Sequence, residues 1–311
     1  IGKPADVSGT NIIGAATAPD CEVCTYTSGT DFFDTSGHGT GVSSVAGGQI
    51  YGRGGPNMII VPIDASGDGW RWAAAQPWID LITISWAFLY TFIDESAEGS
   101  HEAAASGKIS CAASGNFTIP LLFWESEGPS STVHVGAVDP NTRKVKDYSG
   151  FPVDVLGLTD VEAAVYNSTD GVESFGGTSA ATPHVCALMA RAISDARARL
   201  GDFREGPHDG GALAVGGPTG AGALSDGKLT RLELEDAVES TAVPVSTDAY
   251  HFVTGGFGLV ENTTIDEALK VIFGEKPRPT RTVEDAWQLA VDAGRDAVWG
   301  FFPDCRPTPL C

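Results

Sequence analysis

A chain of 311 residues, 42% of them hydrophobic, is long enough to bury one large core or two modest ones. No apolar run approaches the roughly 20 residues that a membrane-spanning helix needs. Forty acidic against 19 basic side chains give a formal charge of −21, which repels phosphate backbones and argues against a nucleic-acid partner. Such acidity reads first as a solvated surface and second as a preference for cationic substrates.

In chain order, strand-like and helix-like segments alternate. This pattern predicts a three-layer α/β/α domain with a mostly parallel central sheet. Asn11 to Thr17 (NIIGAAT) reads as a short strand, and a polar stretch rich in Thr, Asp and Cys follows. GHGTGVSSVAGG then places Val42, Val45 and Ala46 at helical spacing and stops on Gly47 and Gly48. Met58 to Asp64 reads as a buried strand, GWRWAAAQPW as a helix and IDLITISWA as another buried strand. SAEGSHEAAASG is helical, KISCAASGN is a strand ending in a small-residue turn, and STVHVGAVD is a further strand. A long helix is expected from about Ser179 to Leu200, with Pro183 inside its first turn.

Residues 201–228, dominated by Gly, Ala, Pro and Asp, read as a surface insertion. Two amphipathic helices, TRLELEDAVEST and TIDEALKVIFG, flank a GGFGLVE turn, and Thr282 with Asp285 starts a last helix in a capping-box pattern. Residues 1–280 are read as one domain and 281–311 as a C-terminal helix with a cysteine-bracketed tail. Cys21 with Cys24, and Cys305 with Cys311, suit two local disulfides and an oxidising compartment. Zinc on the same four lacks a supporting His/Cys spacing. Cys111 and Cys186 sit in apolar runs and read as buried thiols.

Acyl transfer at a peptide bond needs a nucleophile, a base and donors aimed at the developing oxyanion. Ser179 in GGTSAATPHV follows Gly176 and Gly177, which would let a substrate backbone approach, and opens a helix whose free N–H groups favour negative charge. His38 in GHGTGV heads its own helix and is the natural base near neutral pH. Asn116 ends the strand of CAASGN and can offer its amide to an oxyanion. Taken singly, each has a plainer role as a helix cap, surface residue or turn residue. Their combination and order favour the chemical reading.

HGTGVSSVAGG, AASGN and GGTSAATPHV, in this order, resemble the signature segments of the subtilisin-like serine proteases. ITISWA, VHVGAVD and GGFGLVE extend the likeness over Asn11 to Glu275. The resemblance implies His38 as general base, Ser179 as nucleophile and Asn116 as oxyanion donor beside the Ser179 N–H. It implies that Ser85, Trp86 and Ala87 pair with an extended polypeptide substrate and that Ser114 and Gly115 line the entrance to the first specificity pocket. Bulky Trp86, and Ala87 where the family has glycine, predict narrowed or strongly apolar pockets. Phe117-Thr118 replaces the acid that usually follows the oxyanion asparagine.

The family's orienting aspartate ends a buried N-terminal strand. Asp6 has no apolar run before it, and Asp20, Asp31 and Asp34 come too late, so that aspartate is expected upstream of Ile1. Ile1 is neither an initiator methionine nor the start of a signal peptide, which reads as a matured product or a fragment. The expected protein is a secreted, monomeric serine endopeptidase that requires no cofactor. Structural calcium is common in the family, yet no oxygen-ligand string stands out in the acidic loops. The rival from another class is a non-catalytic binding protein of the same fold. A sedolisin-type hydrolase fails on His38 and Asn116, and an α/β-hydrolase on the lack of G-x-S-x-G. Asn116, Asn167 and Asn262 head glycosylation sequons, with Asn116 expected to be buried in the site.

Overall fold

Alternation along two short apolar strands sets the layering. In Ile109–Ala113, Ile109 and Cys111 point into one buried cluster, while Ser110 on the other face accepts a hydrogen bond from Trp70 Nε1 at 3.1 Å. In Val133–Val138, Val133, Val135 and Ala137 join the first cluster, and Val138 packs with Val145, Val153, Leu156 and Leu259. A sheet built this way must be covered on both faces. The computed structural model describes residues 15–16, 26–27, 34, 36–55, 58–63, 67–86, 93–117, 132–150, 153–200, 229–245 and 256–279.

The described elements run β1 (Ala15–Ala16), β2 (Tyr26–Thr27), α1 (His38–Gly47), α2 (Gly67–Ala75), β3 (Leu81–Ile84), α3 (Ile93–Ala105), β4 (Ile109–Ala113) and β5 (Val133–Val138). Then come β6 (Val155–Leu158), β7 (Val161–Ala164), β8 (Val172–Phe175), α4 (Thr178–Leu200), α5 (Arg231–Thr241) and α6 (Asn262–Ile272). β3-β4-β5-β6 form a four-stranded parallel sheet. On one face α4 lies across all four strands with α5 and α6 behind it, around Val185, Leu188, Met189, Ile193, Leu234 and Ile265. On the other, α2 and α3 pack through Trp70, Ala73, Ala74 and Ala103 onto Ile82. This is the three-layer α/β/α arrangement expected. Lys108, buried at the start of β4, donates to Ala74 O at 2.8 Å and ties the end of α2 to the sheet.

Three expectations need revision. Met58–Ile63 is not a buried strand: Ile59 is exposed and its neighbours are only partly covered. The β7–β8 hairpin was not read from the sequence, because Val172, Glu173 and Ser174 are all exposed and give no apolar run. Pro183 is the sixth residue of α4, well beyond its first turn. Cys111 and Cys186 are buried free thiols, as expected. The strand reading across Asn11 to Thr17 falls on described residues only at Ala15–Ala16. Asp6, Ala87, the other four cysteines, the insertion at 201–228 and the segment 281–311 lie outside the described residues.

Candidate active site

α1 begins at His38 without help from its own N-cap, Gly37, which sits at φ 86°. Ser36 Oγ accepts from the His38 N–H at 3.2 Å, and Asp34 braces both the lead-in and the first turn. Asp34 Oδ1 accepts from the N–H groups of Ser36 (3.0 Å) and Gly37 (2.9 Å), and Oδ2 from that of Thr40 (2.7 Å). Burial pushes this carboxyl up, but the hydrogen bonds from Thr40, Ser36 and Gly37 outweigh it and hold the group below its ordinary value. The His38 ring is half-buried, 5.5 Å from the Phe175 ring and 6.5 Å from that of Trp86, centroid to centroid. Burial pulls its pKa down against the opposing charge of Asp34.

Ser179 is the second residue of the 23-residue helix α4, at the positive end of its dipole, where the N–H groups of Ala180 and Ala181 point back to Gly177 O. Gly177, at φ 78°, precedes that turn. A Cβ on Gly177 would lie 2.8 Å from Asn116 Nδ2, so the glycine here makes room for the Asn116 amide. A Cβ on Gly176 would lie 2.7 Å from Asp160 Oδ1. Protein side chains, rather than a substrate backbone, account for both positions. Asn116 Oδ1 accepts from Thr178 N–H at 2.8 Å and Thr178 Oγ1 at 2.9 Å. That fixes which end of the amide is which and leaves Nδ2 to donate outward. Asn116 is exposed, contrary to the expectation of a buried residue.

Pro183 removes the N–H that a regular helix would aim at the carbonyl four residues earlier, that of Ser179. The hydroxyl of Ser85, at the end of β3, donates to that carbonyl at 2.8 Å. Ser179 Oγ in turn donates to Ser85 O at 3.2 Å. Two reciprocal hydrogen bonds thus fasten the helix start to the strand end. Ser114 is fully buried and Gly115 is buried at φ 92°, with its carbonyl already accepting from Gly150 N–H at 2.9 Å. The entrance lining expected of these two is therefore not offered by exposed surface. Trp86 and Phe117 are 53% and 41% exposed and do face solvent at the ends of β3 and β4.

Hydrogen bonds bring Ser85, Asn116 and Ser179 together, with Thr178 as the link to Asn116. His38 approaches the same place through Trp86, next to Ser85, and through Phe175, just before the glycines. His184, further along α4, is a poor rival base. It is buried, and burial, helped by Arg53, holds it at about 3. Sequence reasoning missed Thr178, Phe175 and the capping role of Asp34. Only Thr178 carried a signal, its place within GGTSA. Among the described residues no group of three or more His, Cys, Asp or Glu could hold a metal ion.

No protein-family model matches the chain. Solved structures with the same fold include a prenylagaramide maturation protease, PagA (TM-score 0.56, 20% identity, 83% of this chain and 86% of that one). They also include sphericase (TM-score 0.52, 21%, 62% and 73%) and a mutant of the protease domain of PatA (TM-score 0.58, 18%, 88% and 93%). The fold is that of the subtilisin-like proteases. In sequence, the chain is 27% identical over 186 residues to alkaline protease 1 of Aspergillus clavatus, covering 51% of this chain and 43% of that protein. It is 28% identical over 182 residues to subtilisin-like protease 2 of Pseudogymnoascus destructans, covering 54% and 45%. The chain is subtilisin-like in sequence as well as in fold, and its matches span less than half the length of these curated relatives.

Proposed function

We propose that the chain is a serine endopeptidase in which Ser179 attacks the carbonyl carbon of a peptide bond. The observation that carries this reading is the Asn116 amide, held by Thr178 with its Nδ2 free to donate beside the start of α4. His38 takes the Ser179 hydroxyl proton as the Oγ–C bond forms. Asn116 Nδ2 and the Ser179 N–H stabilise the charge on the carbonyl oxygen. The tetrahedral intermediate expels the amine, which receives its proton from His38, and water then releases the acyl group by the same steps in reverse order. The Ser179 hydroxyl, now directed at Ser85 O, turns toward His38 as substrate binds. Among the described residues the carboxylate acting on His38 is Asp34, whose two oxygens are committed to backbone N–H groups.

The substrate is an extended polypeptide, paired along the end of β3 at Ser85 and Trp86. The setting is extracellular: among the described residues no helix is long and apolar enough to cross a membrane, and cysteine pairs at both ends suit an oxidising compartment. A fluorophosphonate probe tests the reading. Labelling of the wild type and not of Ser179→Ala supports it; a wild type that resists labelling across the pH range overturns it in favour of a non-catalytic binding protein.

A further inference from the structure

Three small residues, the N-cap Gly37 and Gly41 and Ser44 of α1, each meet the β7–β8 hairpin. A Cβ on Gly37 would lie 3.1 Å from Tyr166 Cβ, and Ala164 N–H donates to Ser44 Oγ at 2.9 Å. Between them, a Cβ on Gly41 would lie 2.6 Å from Phe175 Cδ2 and 2.7 Å from Cε2. Real carbon atoms do not approach so closely, so the Phe175 ring occupies the volume that any side chain at position 41 would take. That depth of seating lets the ring reach His38, at 5.5 Å and an interplanar angle of 67°. A second ring comes from another element. Trp86, just past β3, meets the same imidazole at 6.5 Å and 85°. At 53% exposure it is not held there by core packing.

We propose that Phe175 and Trp86 are positioning residues for His38, aromatic edges from the β7–β8 hairpin and from the end of β3 that fix the imidazole, with Gly41 supplying the space that Phe175 needs. The inference rests on the reading of His38 as general base. Two ring contacts from separate elements restrict both side-chain torsions of the histidine and exclude water from its surface. Water exclusion disfavours the charged imidazolium, in the same direction as the burial effect on this residue. The charge acting on His38 is Asp34, four residues before it in the lead-in to α1. Of the elements packed against α1, β7 carries Glu162 and β8 carries Glu173, both exposed, and the first turn of α4 has no acidic residue.

The test uses the full chain and two readouts. The titration of the His38 ring is followed by NMR in a Ser179→Ala background, and the rate of fluorophosphonate labelling is followed against pH with Ser179 present. The probe carries no peptide, so pairing along β3 does not enter. Trp86→Ala is expected to raise the His38 midpoint toward the ordinary histidine value, move the acid limb of labelling up in pH, and slow the plateau by roughly ten- to a hundredfold. Trp86→Phe, which keeps a ring, restores most of both. Phe175→Leu does the same as Trp86→Ala, and because Trp86 is exposed its arm decides the matter even where Phe175→Leu does not fold. Midpoint and labelling profile unchanged in folded Trp86→Ala overturn the proposal. A shifted midpoint in a chain that never labels leaves the rings holding His38 and sinks the protease reading alone.

Discussion

Thr178 governs which atom of Asn116 faces outward. Its N–H and hydroxyl both claim Oδ1, and a carboxamide with its oxygen engaged twice has only N–H to offer elsewhere. Asn116→Ala should lower kcat by about 10²–10³ with little change in KM, the signature of a donor used in the transition state. Asp34 belongs to the same scale. Its carboxylate sits below the ordinary value in the folded protein, so its contribution to stability is present above the usual carboxylate range and lost as pH falls through the depressed value. Asp34→Ala should cost about 1 kcal/mol, the worth of a helix cap, in urea titration at neutral pH, and the difference from wild type should shrink in acid. The sequence marked Asp34 only as polar lead-in, because a cap reaching Thr40 from six residues away matches no standard capping spacing. The places of Ser179 and His38 at helix starts and of Asn116 after a strand were legible because glycine-marked turns flag each of them.

Among the elements, α4 carries an internal proline that β3 repairs. Ser85→Ala should destabilise the fold by about 1 kcal/mol, since the Ser179 carbonyl then loses its donor. Pro183→Ala supplies an N–H to the same carbonyl. The double variant should therefore recover part of that loss, and a double-mutant cycle by chemical denaturation reads the coupling directly; strict additivity would rule out the repair. This partnership was invisible in the sequence because its members are 94 residues apart and only the packing of α4 on the sheet aligns them. α5 is the opposite case. Its helix was read from the amphipathic pattern alone, and its start is fixed by a local capping box between Thr230 and Glu233. Strands were legible where neighbours bury both faces, as in the parallel β4 and β5, and illegible in the antiparallel β8, whose side chains mostly face water.

For the molecule as a whole, charge shapes the response to pH and salt. Glu239 is raised from 4.5 to about 8 by burial first, then by the nearby charges of Asp154, Glu235 and Asp236, with Arg278 opposing. The folded state thus holds a proton there that the unfolded state releases. Its contribution is complete below the ordinary glutamate value and is lost as pH rises through about 8. Thermal midpoints measured from pH 4.5 to 8 should fall less steeply in Glu239→Gln than in the wild type. A net charge of −21 adds a general repulsion, so moving from low ionic strength to about 0.1 M salt, where the screening length is about 10 Å, should raise the melting temperature.

The hydrogen bonds that assemble the site join residues 94 and 62 positions apart, all of them waiting on α4. A newborn chain leaving the ribosome has made Ser85 and Asn116 long before Ser179, and local folding cannot bring the three together early. For an enzyme proposed to cut polypeptides, this order works as a clock. The blade is whole only once α4 lies on the sheet, so a chain that has not yet folded that far has nothing with which to digest itself.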